Sequence, residues 1–500
     1  MARAQILITQ TAWASAGQIV QVVAGLVSLI VLVRILGAET YGVFALGLLF
    51  TMLADVFVGG HAADGVVQKE SLSEAEKSGI YAALMAVGLA CAAALVAAGS
   101  LAATFFDTPG LAEILPVMAL LPVLTAAASV PNQLLVRQLR FSTLAKVNAV
   151  ASVLAVSFGI ALAFAGYGIW SLIGLELLRR FIILILIHVA LRWIPKARFS
   201  TGDLVVMGRF GLRRIENRVL SYISVQALPR GIIGYVLGTE ALGFFVVARR
   251  FIDQLNAVLS GPMSAVALPA TAQLRSEPEK IESLIASLIR VGTWTFWPAL
   301  LGALVTAPLL LPLVFGRDWA DTAVVMQVLI LASLRTPLSG FAPNVLTAYG
   351  ALGDISRARL IAIAVGAVTC GIGAQFGLLG AVAGLALRQW LLAPVLAGFV
   401  ARHSGVAVRR QLGVLAHAAV PAVAMAVMVA ALGWVLGDRL APSAELSALV
   451  VAGLFLYPPL WLAWNAQARP SALAALGGLL RGDRAAATRS LKAVIAPGPG

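Results

Sequence analysis

Apolar runs long enough to cross a bilayer recur along this chain from its N-terminus to about residue 464. A spanning helix needs about 20 predominantly apolar residues, because in hydrocarbon every backbone donor and acceptor must be satisfied within the segment. The first set of runs lies near 11–33, 43–63, 79–103, 112–131, 147–166, 169–191, 212–237 and 242–268. A second set lies near 286–312, 322–346, 359–376, 379–401, 412–436 and 446–465. The expected fold is therefore an all-α polytopic membrane protein of about fourteen transmembrane helices. Composition agrees: 60% of the residues are hydrophobic and 12% charged, against about a quarter charged in a soluble domain. A soluble fold is excluded, and the spans leave no room for a large soluble domain.

The formal charge of +14 comes from 36 basic and 22 acidic side chains. In a soluble protein it would point to nucleic acid, but here the basic residues gather in alternate loops, as the positive-inside rule expects. One set of loops carries Lys69 and Lys77; Arg137, Arg140 and Lys146; Arg192, Lys196, Arg198 and Arg209; Arg275 and Lys280; Arg357 and Arg359; and Arg402, Arg409 and Arg410. The tail adds Arg469, Arg481, Arg484, Arg489 and Lys492. The opposite loops are short and mostly acidic, with Glu39, Asp107, Glu113, Glu240, Asp318, Asp321, Asp438 and Glu445, and with exceptions at Arg34, Arg317 and Arg439. This alternation places both termini in the cytoplasm of a multi-pass protein of the bacterial inner membrane, with membrane lipid and no nucleic acid as partner. Arg3 and Ala14-Ser15-Ala16 resemble a signal peptide, but the apolar stretch runs on to Val33, which suits a retained signal anchor. Cys91 and Cys370 lie inside apolar runs and suit packing, not a disulfide framework or thiolate metal site.

An internal repeat emerges from the ends of the first and seventh spans. Leu36-Gly37-Ala38-Glu39-Thr40-Tyr41-Gly42-Val43-Phe44 matches Leu237-Gly238-Thr239-Glu240-Ala241-Leu242-Gly243-Phe244-Phe245, 201 residues on (36 to 237). A weaker echo pairs Gly168 with Gly380. An even number of spans in that offset gives both copies the same orientation, hence two parallel six-helix bundles, a device of transporters. The expected organisation is a lobe over 1–200, a second over 201–405, two appended helices over 406–466 and a basic cytoplasmic tail over 467–500.

Five motifs in order carry a family resemblance: Arg34-x-Leu36-Gly37-x-x-x-Tyr41-Gly42, Arg137-x-x-Arg140-Phe141, Gly166-x-Gly168-x-Trp170-Ser171-Leu172, Ile233-Gly234-x-x-Leu237-Gly238-x-x-x-Leu242-Gly243 and Phe315-Gly316-x-x-Trp319. Over about residues 8–400 the chain resembles the polysaccharide transporter (oligosaccharide flippase) branch of the multidrug, oligosaccharidyl-lipid and polysaccharide flippase superfamily. That resemblance implies a two-lobed bundle that moves lipid-linked oligosaccharides to the periplasmic leaflet by alternating access. One departure stands at Pro229-Arg230, where many members of the family carry an aspartate near the Ile-Ile-Gly, so that residue's role does not carry over.

Charged side chains at bilayer depth cost at least about 2.5–3.5 kcal/mol each on insertion scales, so buried arginines should face a wet cavity or a partner. Arg179 and Arg180 fall near the middle of the sixth run, Arg335 near the middle of the tenth and Arg388 of the twelfth, with Arg230, Arg249 and Arg250 nearer the outer side. Few acids share these depths, chiefly Asp55, Glu176 and Asp253. The expected substrate-binding set is these seven arginines, lining a cationic cavity between the lobes. Their planar guanidinium groups suit bidentate bonds to the phosphates of a polyprenyl-pyrophosphate-linked oligosaccharide. The competing reading is local, with Glu176 neutralising Arg179 or Arg180 and Asp253 neutralising Arg249 or Arg250 at i+3 and i+4 spacing.

Pro116, Pro122, Pro229, Pro262, Pro269, Pro337 and Pro343 should kink their spans. Trp193, Trp294, Trp297 and Trp319 suit interfacial anchors, and the amphipathic stretch Leu473–Val494 suits the anionic cytoplasmic leaflet. An integral-membrane polysaccharide polymerase or ligase would need a large periplasmic loop or a compact cluster of acids and histidines. His61, His188, His403 and His417 are scattered, with no His-Glu-x-x-His, no phosphate-cradling Gly-x-x-x-x-Gly-Lys loop and no Asp-x-Asp pair. The sequence thus calls for no enzyme activity, cofactor or metal. A multidrug or small-solute antiporter of the same superfamily would show acids in its cavity, whereas this interior leans basic. A lipid II flippase would share the cationic cavity and the span count, and only the motifs set it apart. The expectation is a flippase for an exopolysaccharide, capsule or O-antigen repeat unit, working beside the polymerase and export machinery of its pathway.

Overall fold

A computed structural model of the chain describes residues 2–59, 73–196, 216–437 and 439–466, with 469, 470 and 474; the side chains of 2–16 and 257–265 are left out of the description. His61, Lys69, Arg198, Arg209, Asp438 and the tail bases Arg481, Arg484, Arg489 and Lys492 lie outside the described residues, as does nearly all of the amphipathic stretch. Two compact units divide the chain, Met1–Val247 and Ala248–Gly500.

The first unit begins with α1 (Ala2–Val58) and continues through α2 (Glu74–Phe105), α3 (Gly110–Met118), α4 (Leu120–Arg137), α5 (Phe141–Phe164) and α6 (Trp170–Leu191). Helix α5 packs between α1 and α6, while α4 packs against α2 and α6. The start of α2 is set by Ser73-Glu74-Ala75-Glu76, a reciprocal capping box. Ser73 Oγ accepts from the Glu76 amide at 3.2 Å, and Glu76 Oε2 accepts from the Ser73 amide at 2.7 Å. Ser73→Ala is expected to cost about 1 kcal/mol of stability, read as a lower thermal midpoint in detergent.

Residues 216–222 are helical, followed by a π-helical turn over Ile223–Ala227 and then α7 (Leu228–Leu274), which runs from the first unit into the second. Pro229 accounts for the turn: its ring has no N–H to donate and crowds the carbonyl one turn back, which the wider π geometry relieves. The second unit continues with α8 (Pro278–Phe315), α9 (Ala320–Ser333), α10 (Thr336–Ser339), α11 (Ala342–Ala348), α12 (Leu352–Ala374), α13 (Gly377–Ser404), α14 (Val408–Leu436) and α15 (Pro442–Trp464). Helices α12 and α13 form a close hairpin, and α8 packs against α14 and α15.

Among the described residues eleven helices are long and apolar enough to cross a membrane, fewer than the expected fourteen. Three features make the difference. The first two expected spans are two helices that join without a loop at the non-helical Gly37 inside α1, and the seventh and eighth join likewise at Gly238 inside α7, so each pair counts once. The third is α6, which is 22 residues long, about 33 Å at 1.5 Å per residue, but carries Glu176, Arg179 and Arg180. The expected tenth span is a chain of three helices, α9 to α11, with Pro337 and Pro343 opening the last two. Pro116 and Pro122 flank the break at Ala119 between α3 and α4.

The repeated motif forms these two junctions, each turning at a single non-helical glycine. Gly37 has φ 74° and ψ 174°, and Gly238 has φ 83° and ψ −178°, a region open essentially to glycine alone. Inside the first unit the two copies cross. A Cβ added to Gly42 would lie 1.7 Å from the Thr239 carbonyl oxygen, and one added to Gly243 would lie 1.9 Å from that of Ala38. Ala38 and Thr239 are equivalent positions of the repeat, as are Gly42 and Gly243, so the crossing is reciprocal. Two backbones approach this closely only where neither carries a side chain.

Candidate functional site

In the first unit, Arg180 on α6 reaches across to α1 and makes a bidentate pair with Asp55, both N···O distances being 2.8 Å. The same guanidinium donates to Thr125 Oγ1 at 2.5 Å and the Leu121 carbonyl at 3.3 Å on α4. One arginine therefore joins three helices. Arg179 pairs with Glu176 one turn back at 2.6 Å, the local neutralisation that spacing allowed. Arg230 on α7 lies 3.5 Å from the Met52 sulfur, while the neighbouring Tyr222 hydroxyl donates to the Leu49 carbonyl. Beside the Arg180–Asp55 pair opens a cavity of about 290 Å³, whose wall includes Thr125, Ser129, Asn132, Asn148 and the aliphatic side chains of Leu124 and Ile183.

In the second unit, Arg249 pairs with Asp253 at 2.9 Å on the same helix face, and Arg250 is half-buried. Arg335 stands where α9 gives way to α10, and its guanidinium is held by neutral groups, Ser339 Oγ and Gln389 Oε1. Its Nε is buried without a hydrogen-bond partner among the described residues. Arg388, next to Gln389 on α13, is only 2% exposed. Arg335, Arg388 and Arg249 lie within electrostatic reach of one another. Like charges at short range repel, and although Asp253 pairs with Arg249, an anion approaching Arg335 and Arg388 would relieve their repulsion while meeting a guanidinium already aligned by Ser339 and Gln389.

The seven expected arginines thus fall into groups of different character. Arg249, Arg335 and Arg388 are brought together from separate parts of the second unit, with Asp253 pairing Arg249 and neutral groups holding Arg335, whereas Arg179 and Arg180 are each neutralised by a carboxylate. Spacing in the sequence gave no sign of the Asp55–Arg180 pair, 125 residues apart, or of Gln389 and Ser339 as supports for Arg335. The four tryptophans expected at the membrane interface also make contacts within the protein. Trp319 is 3% exposed, Trp297 donates to the Leu334 carbonyl at 2.9 Å, Trp193 donates to Glu74 at 2.9 Å and Trp294 meets Trp461 edge-on at 4.9 Å. The indole N–H groups of Trp193 and Trp297 find their acceptors within the protein, whereas that of Trp294 is buried with no hydrogen-bond partner among the described residues.

Comparison with known proteins agrees with this architecture. The chain is similar to the lipid II flippase MurJ in an inward closed conformation, with a TM-score of 0.76 at 12% identity over 91% of this chain and 99% of that one. It is also similar to an inward-facing multidrug resistance MATE transporter, with a TM-score of 0.59 at 15% identity over 77% and 94% of the two chains. At these identities the likeness is one of fold. In sequence it is 27% identical over 315 residues to the succinoglycan biosynthesis transport protein ExoT of Rhizobium meliloti (strain 1021), covering 63% of each. It is 23% identical over 333 residues to the lipopolysaccharide biosynthesis protein WzxC of Escherichia coli (strain K12), covering 64% of this chain and 66% of that protein. The match thus spans just under two thirds of both relatives. A family model described as polysaccharide biosynthesis protein matches residues 31–324, more than half of the chain and including both copies of the glycine motif, so this chain belongs to the polysaccharide biosynthesis protein family.

Proposed function

We propose that the chain is a flippase that carries a polyprenyl-pyrophosphate-linked oligosaccharide repeat unit across the bacterial inner membrane for exopolysaccharide, capsule or O-antigen synthesis. The observation that carries this reading is the grouping of Arg249, Arg335 and Arg388 inside a membrane-embedded bundle, in a family named for polysaccharide biosynthesis. Pyrophosphate offers several anionic oxygens in a small volume, and arginine forks meet them with paired, charge-assisted bonds. The names of ExoT, a transport protein, and WzxC point the same way. In this reading both termini are cytoplasmic, no bond is made or broken in the substrate, and the site is exposed to each leaflet in turn. A polymerase and export machinery take the product onward. The basic character of the cluster argues against an exporter of cationic drugs, for which acids would be needed.

The test is a deletion strain complemented with wild type, Arg335→Ala or Arg388→Ala. Surface polymer is quantified, and polyprenyl-pyrophosphate oligosaccharides are extracted and assigned to a leaflet. The expected result is complete repeat units trapped in the inner leaflet, with polymer restored by wild type and at least tenfold less by either alanine variant, since a charge-assisted bond contributes about 1.5–3 kcal/mol. Unchanged polymer in the deletion strain, with no functional duplicate in the genome, would overturn the reading.

A further inference from the structure

The cavity beside Asp55 and Arg180 differs in chemistry from the arginine cluster. Its ions are already matched, Arg180 by both oxygens of Asp55 and Arg179 by Glu176. A phosphate would find no spare positive charge there, and a metal or ammonium ion no spare carboxylate. What remains is uncharged hydrogen-bonding capacity. Asn132 makes no side-chain hydrogen bond among the described residues. Asn148 spends one N–H on the Leu144 carbonyl at 2.8 Å and keeps its other N–H and its carbonyl oxygen. Each carboxamide offers donors and an acceptor at neighbouring atoms, which complements vicinal hydroxyl groups that also donate and accept. Leu124 and Ile183 supply an aliphatic wall that suits the C–H face of a sugar ring. At about 290 Å³ the cavity sits at the small end of ligand pockets, which begin near about 300 Å³, a size for one sugar ring and not for a whole repeat unit.

We infer that this cavity is a saccharide subsite, in which Asn132 and Asn148 hydrogen-bond one uncharged sugar ring of the lipid-linked substrate while the Arg180–Asp55 pair frames the opening. The inference rests on the flippase reading and names the part of that substrate, one uncharged sugar ring, for which the first unit carries hydrogen-bonding groups.

The test uses full-length protein in lipid nanodiscs and two probes, polyprenyl pyrophosphate without sugar and the polyprenyl-pyrophosphate oligosaccharide extracted from the deletion strain. Asn132→Ala/Asn148→Ala is expected to bind the oligosaccharide probe about tenfold or more weakly than wild type does, with unchanged affinity for the sugar-free probe. Arg335→Ala should weaken both probes. Single Asn132→Ser and Asn148→Ser variants with wild-type thermal midpoints should show smaller losses confined to the oligosaccharide probe, which a folding defect would not produce. Unchanged affinity for both probes in the double variant, or equal loss for both, overturns the subsite and leaves the flippase reading standing. Wild type binding neither probe overturns the flippase reading, and the subsite with it.

Discussion

Gly42→Ala and Gly243→Ala are each expected to abolish folded protein, a larger effect than any substitution in the arginine sites. The new methyl carbon would lie 1.7 Å from the Thr239 oxygen in the first case and 1.9 Å from the Ala38 oxygen in the second, about half of the 3.5–4.0 Å at which non-bonded atoms attract. Both obstructing atoms are backbone oxygens within helices, so no rotamer change relieves the clash. Truncating Thr239 would not help either. The cost falls in the range above about 4–5 kcal/mol that marks loss of a packing solution, not its perturbation. The measurement is the monodisperse fraction of a fluorescent fusion in detergent, expected to fall to background for both variants. Gly371→Ala is the control: a Cβ there meets nothing within 4 Å, and alanine favours a helix over glycine by about 1 kcal/mol. If Gly42→Ala gives wild-type yield and thermal midpoint, the reciprocal crossing does not exist in the membrane.

Breaking the Asp55–Arg180 pair should be the next most costly change. Arg180→Met leaves a carboxylate that is 25% exposed facing its cavity without a counter-ion, and Asp55→Leu leaves a guanidinium that is 14% exposed. Removing one partner of a buried pair costs about 3–5 kcal/mol; the residual exposure of both groups puts this pair near about 3 kcal/mol. The double variant Asp55→Leu/Arg180→Met should be more stable than either single one, because no charge is left unmatched, and the coupling should exceed about 1 kcal/mol. Thermal unfolding in detergent of the four proteins closes the cycle. Additive losses would mean that the two side chains do not interact, and that the cavity is not electrically neutral.

Most of the architecture was legible in the sequence because hydrocarbon leaves a chain few choices. Long apolar runs have to be helices; the 201-residue repeat was likewise visible as text. The count of spans differed where the pattern is blind to continuity. A glycine between two apolar runs reads as a loop of several residues, yet at Gly37 and Gly238 one non-helical residue is the whole junction between two helices. Conversely, α6 is long enough to span but its three charges hide it from a hydropathy criterion.

For the site, local pairs were readable and distant ones were not. Glu176–Arg179 and Arg249–Asp253 lie within one helical turn, so spacing alone announces them. Nothing in the sequence links Asp55 to Arg180, Arg335 to Gln389, or Asn132 to Asn148. Their meeting depends on which helix faces turn toward each other, and that is decided by packing summed over many weak contacts. The sequence by itself determined the class of the molecule, the repeat and the excess of buried positive charge, since each follows from transfer energies and local spacing. Only the tertiary structure decided that Asp55 neutralises Arg180 and that Arg249, Arg335 and Arg388 come together, because Coulomb energy depends on distances in space that chain separation does not encode.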